Sequence, residues 1–193
     1  LKIKNVGLFH PQSRLLTTEP DWFQANTPRA RRIPPAVRDW LAESSSLTAR
    51  LSALAGSIQV KVLYQGWGRP FRSEAKELFS PHRVWLREVA LEAQGKRLLF
   101  ARTCAPVATL QYAGARFSRL GARPLGEVLF TLPRVKRVKV QWTKLSFNLW
   151  LPAGEVPRWG RRALYLIGPE LPLLVSEFFL PKVFALEERH GMG

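Results

Sequence analysis

The chain has 193 residues and a mass of 22.0 kDa, enough for one domain with a sizeable core; it is 46% hydrophobic, and 30 Lys and Arg against 14 Asp and Glu give a formal charge of +16. A single cysteine, Cys104, excludes an internal disulfide and a multi-thiolate metal site, and His10, His82 and His190 lie too far apart for metal-ligand spacing, so no metal is expected. No apolar run approaches a membrane span, and Leu1-Lys2-Ile3-Lys4 lacks the apolar stretch of a signal peptide, so the expectation is a soluble cytoplasmic protein that attracts anions.

Residues 1–33 are interrupted by Pro11, Pro20 and Pro28 and carry Arg29, Arg31 and Arg32 in a basic knot, which reads as a solvated N-terminal extension. From Pro34 the pattern is helical, with Val37, Trp40 and Leu41 on one face. A second short helix is expected over Leu47–Leu54, capped by Ser45 or Ser46 and stopped by Gly56. Ile58–Tyr64 alternates as a strand, and Gly66, Gly68 and Pro70 read as a loop. Pro106 opens a helix expected to reach Leu120, and Pro124-Leu125-Gly126 starts a tight turn. Residues 134–144 suggest a basic strand with a slip in its alternation at Arg137. Two last strands, Arg161–Ile167 and Leu173–Leu180, are joined through Gly168-Pro169-Glu170-Leu171. Hairpin-length connections and this order argue for an antiparallel α+β domain over 34–181, with a tail at 182–193.

The central hairpin is the most informative stretch. Val84–Glu92 and Arg97–Ala105 flank Gln94-Gly95, and pairing Ala93 with Lys96 sets Leu91 opposite Leu98 and Arg87 opposite Arg102. Two guanidiniums facing each other on an apolar face need a buried acid, a bound anion, or both. A carboxylate such as Glu177 could neutralise them internally, or they could bind a small carboxylate in a bidentate fork. Glu177 itself stands between Val175 and Phe179 in an apolar row, where it is either a structural partner or held for proton chemistry.

These residues sit in stretches that resemble a known family. Trp85-Leu86-Arg87-Glu88, Ala101-Arg102-Thr103 with Pro106-Val107, Leu120-Gly121 with Pro124-Leu125-Gly126 and Leu129-Phe130, Trp159-Gly160-Arg161-Arg162, and Glu177-Phe178-Phe179-Leu180-Pro181 occur in the order and near the spacing of chorismate lyase, also called chorismate–pyruvate lyase. The resemblance covers roughly 34–181. It implies a six-stranded antiparallel sheet with helices over a buried ligand site. It implies a monomeric, cofactor-free cytoplasmic enzyme that converts chorismate to 4-hydroxybenzoate and pyruvate, the first committed step towards ubiquinone. By motif, Arg87 matches the family's product-binding arginine and Glu177 its glutamate at the ligand. Arg102 matches a second site arginine, Leu125 a backbone-amide contact, and Leu47 a main-chain contact that is usually a methionine. The 33 N-terminal residues have no evident counterpart, and the stretch from Phe130 to Trp159 is longer and more basic than the family's.

Two rival readings stand beside the lyase. One is a non-catalytic small-acid sensor of the same fold, as in bacterial repressors; a winged helix would have to precede it, and 33 proline-broken residues are too few. The other is a binder of nucleic acid or an anionic surface, built on Arg134, Lys136, Arg137, Lys139 and Lys144 beside Trp142 and Phe147. With no helix-turn-helix or zinc-finger signature, no specific nucleic acid is expected. Weak association with an anionic membrane through Arg134, Lys136, Arg137 and Lys139 is the form this reading takes.

Overall fold

Among the described residues, alternating apolar residues build seven strands into one antiparallel sheet in the order β1-β5-β6-β7-β4-β3-β2. The strands are β1 (Phe23–Gln24), β2 (Gln59–Gly68), β3 (Val84–Ala93), β4 (Lys96–Ala105), β5 (Lys136–Lys144), β6 (Trp159–Ile167) and β7 (Leu171–Phe179). The helices are α1 (Pro28–Arg31), α2 (Pro35–Ala42), α3 (Leu47–Ala55), α4 (Arg72–Leu78), α5 (Val107–Ala113), α6 (Ala115–Ser118), α7 (Leu125–Leu129) and α8 (Pro181–Phe184). This is an α+β fold, seen in a computed structural model that describes residues 12–145 and 156–186. Phe147, Pro152, Gly154, His10, His190 and most of the 182–193 tail lie outside the described residues. Among the described residues no helix is long and apolar enough to cross a membrane.

The seventh strand beyond the expected six is the two-residue β1, which pairs with β5 through Phe23 and Trp142. It belongs to the stretch read as a solvated extension. Leu15 and Leu16 there are 1% and 3% exposed, and Ala30 and Ile33 are buried, so residues 13–33 pack onto the domain. Ser46 caps α3 by accepting from Ala49 N–H at 3.3 Å. The helix expected from Pro106 to Leu120 is broken at Gly114, whose φ is 61°. Gly66 and Gly68, expected in a loop, continue β2 against Leu86 and Val84. The turn expected at Leu125 is the first residue of α7.

The two faces of the sheet carry separate cores. One face holds Val89, Leu91, Leu99 and Phe179 under α2 and α3, and, at its other end, Trp85, Ala105, Ile167 and Leu173 under α5 to α7. The opposite face holds Ala90, Phe100 and Phe178 with Leu15 and Leu16, then Leu86, Cys104 and Leu174 with Leu78 of α4.

The hairpin departs from the expected register. Gln94 and Gly95 have φ of 49° and 71°, the doubly left-handed turn that Gln-Gly suggests, and Ala93 does pair with Lys96. One residue later a bulge intervenes: Glu92 pairs with Arg97 but Leu91 pairs with Leu99. The carbonyl of the extra residue, Leu98, accepts from Leu180 N–H at 3.0 Å, so its partner lies outside the hairpin. A slip of one residue turns every later side chain to the other face. Arg102 therefore pairs with Glu88, and Arg87 with Thr103. The two arginines lie on opposite faces, and the like-charge clash never arises.

Candidate active site

Arg102 is fully buried behind the sheet. Its Nε and Nη2 donate to the two oxygens of Glu74 at 2.8 and 2.9 Å, and its Nη1 donates to Glu88 Oε1 at 2.6 Å. Glu74 reaches back to Phe71 N–H at the start of α4, and Glu88 takes Ser13 Oγ–H and Arg14 N–H. Burial pushes the Glu74 carboxyl up, but the Arg102 charge and hydrogen bonds outweigh it and hold the group below its ordinary range. Burial likewise opposes the Arg102 charge, and Glu74 holds that charge in place. This is a satisfied internal ion cluster, so the expectation that Arg102 shares a ligand site with Arg87 is corrected.

The other face contains a cavity of about 670 Å³, counting its open mouth, between the two cores. Arg87, Glu177, Leu47 and Leu125 all line it. Register explains the convergence. Arg87, Thr103, Val175 and Ala163 form one row across β3, β4, β7 and β6; Val89, Ala101, Glu177 and Arg161 form the next. Arg87 and Glu177 are thus two strands and one row apart, about 12 Å between Cα atoms. The floor between them is Thr103 and Ala101, whose small side chains leave the space open. Ser45–Thr48, entering α3, and Pro124–Gly126, entering α7, form the walls.

Arg87 is 2% exposed. Its Nη2 donates to the carbonyls of Gly121 and Arg123, both at 2.9 Å, which fix its head from the loop before α7. No described carboxylate pairs with it, and its buried Nε has no hydrogen-bond partner among the described residues. Burial lowers its pKa to about 10. A cation is thus held in the cavity with no described carboxylate to compensate it, a cost in folding free energy that a bound anion would return.

Glu177 is half-buried and accepts from Arg161 Nε at 2.5 Å. Arg161 Nη1 donates to the carbonyls of Trp40 at 3.3 Å and Glu43 at 2.5 Å, at the end of α2. Arg137 Nη1 donates to the same Glu43 carbonyl at 2.8 Å, and Trp142 Nε1 to that of Leu41 at 3.1 Å. The Glu43 carboxylate in turn accepts from Ser45 N–H and pairs with Arg50; the backbone hydrogen bond is the first cause of a pKa lowered to about 2. One guanidinium thus ties the cavity's acid to the loop that walls it. Gly160, beside Arg161, is required here: a Cβ would lie 2.7 Å from Phe178 Cδ1 and 3.0 Å from the Glu177 carbonyl.

Arg161 and Tyr165 also line the cavity and were not singled out as site residues from the sequence. Their signal was present in the alternation of Trp159, Arg161, Ala163 and Tyr165, but it needs the β6–β7 register to be read. Burial raises the Tyr165 pKa, which keeps its hydroxyl a neutral donor. The basic strand is not one charged face. Arg137 is engaged with Glu43, and Lys139 pairs with Glu77 at 2.6 Å. Trp142 is 5% exposed and cannot stack on bases. Arg134 and Lys136 remain exposed.

Comparison with known proteins gives a consistent picture. A family model described as chorismate lyase matches residues 18–189. The chain is 42% identical over 161 residues to the probable chorismate pyruvate-lyase of Methylococcus capsulatus, covering 79% of this chain and 99% of that protein. It is 33% identical over 172 residues to the protein of the same description from Hydrogenovibrio crunogenus, covering 86% and 92%. Among solved structures, the effector domain of PhnF from Mycobacterium smegmatis superposes with a TM-score of 0.52 at 15% identity, over 71% of this chain and 89% of that one. That likeness concerns the fold alone.

Proposed function

The chain belongs to the chorismate lyase family, and from that premise we propose that it converts chorismate to 4-hydroxybenzoate and pyruvate in the cavity between Arg87 and Glu177. The observation that carries the reading is Arg87: a buried guanidinium with no described acid beside it and an unused Nε–H is a site for a carboxylate. Chorismate brings two carboxylates, and a benzoate product keeps one.

The reaction breaks the bond between the ring carbon and the ether oxygen, and the electron pair leaves with the oxygen. The ring carbon bearing the hydroxyl loses its hydrogen as a proton, which makes the ring aromatic. The departing enolpyruvate takes up a proton and becomes pyruvate. Atoms and electrons balance without water, oxidant or cofactor, so the protein's task is to hold a reactive conformer and stabilise developing charge. In this reading Arg87 anchors the ring carboxylate. Glu177 faces the ring hydroxyl, orienting it or assisting the proton. Backbone at Leu47 and Leu125 closes on the ring from the walls. Arg161 keeps Glu177 aimed through its Nε hydrogen bond, and the product enters the route to ubiquinone.

Purified protein given chorismate and a metal chelator should release pyruvate and 4-hydroxybenzoate in equal amounts; folded protein that releases neither overturns the reading. Glu177→Gln should lower kcat by about a hundredfold, the size of a lost acid–base or orienting group. An unchanged kcat would remove Glu177 from the chemistry while leaving Arg87 in place.

A further inference from the structure

α4 ends at Phe79 in the left-handed region, with φ of 49°, and Ser80 N–H donates back to the Ala75 carbonyl at 3.1 Å. Backbone sterics favour glycine or asparagine at this helix end. The chain has a phenylalanine, and it is 90% exposed, against 52% for Phe130, the next most exposed large apolar residue among the described ones. Phe79 is therefore unfavourable for folding through its backbone, and its ring returns no packing in exchange. A residue that breaks local rules without returning packing marks a function.

Its surroundings indicate the partner. Arg72, Lys76 and Phe79 follow at four- and three-residue spacing along one stripe, with Arg69 before them and His82 and Arg83 after, all exposed. Arg69, Arg72, Lys76 and Arg83 form no ion pair with a described residue. The two acids of the segment turn inward, Glu74 to Arg102 and Glu77 to Lys139. A single protruding ring thus belongs to a segment with four exposed cations, of which Arg83 also lies over the Trp67 ring at 5.3 Å.

We propose that this loop docks the protein on anionic phospholipid bilayers, with the Phe79 ring entering the headgroup region and the cations meeting lipid phosphates. A protein partner would call for a contiguous apolar patch, and here one ring stands alone. Single-stranded nucleic acid is held along a charged groove, whereas a ring this exposed protrudes. A bilayer needs no socket: a ring at interfacial depth and several basic side chains add their modest affinities.

Flotation with vesicles tests this. The protein should float with phosphatidylcholine vesicles containing about a third phosphatidylglycerol and stay behind with pure phosphatidylcholine. Phe79→Asn keeps the left-handed backbone and should weaken binding about tenfold at an equal or higher Tm. Arg72→Gln with Lys76→Gln should weaken it by a similar factor and flatten its salt dependence, whereas Lys136→Gln should have little effect. Undiminished flotation of Phe79→Asn overturns the proposal. So does loss of flotation with Lys136→Gln alone, or retention of duplex DNA by protein that ignores both vesicles.

Discussion

Arg102→Met should destabilise the protein by about 3–5 kcal/mol at neutral pH, as when one partner is removed from a buried ion cluster. Glu74 and Glu88 would keep their places behind the sheet with no guanidinium between them. The pH dependence should change as well. In the wild type the Glu74 pKa lies below its ordinary 4.5, so its contribution is present above that pH and is lost as the pH falls. Without Arg102, burial is opposed mainly by the Phe71 N–H hydrogen bond and should raise the pKa above the unfolded value. The variant's deficit should then be largest at pH 7–8 and shrink as the pH falls towards 5. Urea unfolding across that range gives both the size and the sign. A deficit below about 1 kcal/mol, or one that grows on acidification, would mean that the cluster is not what holds α4 and the Ser13–Leu16 segment to the sheet.

Arg87→Met should do the reverse: lower kcat/KM for chorismate by about a thousandfold while changing stability by less than about 2 kcal/mol. Losing a buried charge-assisted anchor costs about 4 kcal/mol of binding and transition-state stabilisation, which is three decades of rate. The stability effect is small because two opposing contributions offset each other. The bonds to the Gly121 and Arg123 carbonyls are lost, and so is the penalty of an uncompensated buried cation. The two arginines, fifteen positions apart in neighbouring strands, thus separate stability from activity. If Arg87→Met instead unfolded the protein and Arg102→Met abolished turnover at full stability, the assignment of faces would be wrong.

Much of this arrangement was legible in the residues, and the misreadings have definite causes. Gln94-Gly95 specified the turn, and Ser46 the start of α3, because both signals are local. The bulge at Leu98 was invisible because its carbonyl is satisfied by Leu180, a partner far along the chain. That one residue moved Arg102 to the other face and replaced an expected Arg87–Arg102 pair with Arg102–Glu88. α4 went unread as well: it is seven residues long, lies between Pro70 and Pro81, and owes its stability to Glu74 meeting Arg102. Glu177 was conspicuous as an acid in an apolar row, but its tie through Arg161 to the α2–α3 loop depends on the β6–β7 register. The slip in alternation at Arg137 was legible in the basic strand, but not the partners to which it sends the two side chains. In the fold a bulge between Arg137 and Lys139 sends the first to the Glu43 carbonyl and the second to Glu77.

Arg87 is the proposed carboxylate site, and paired ligands test that directly. Calorimetric titration should show 4-hydroxybenzoate binding at least a hundredfold more tightly than 4-hydroxybenzamide, which keeps the ring and hydroxyl but lacks the charge; the factor is what about 3 kcal/mol of charge-assisted hydrogen bonding gives. The difference should vanish in Arg87→Met. Equal affinity for the two ligands in the wild type, or no binding of the benzoate by folded protein, would contradict the account.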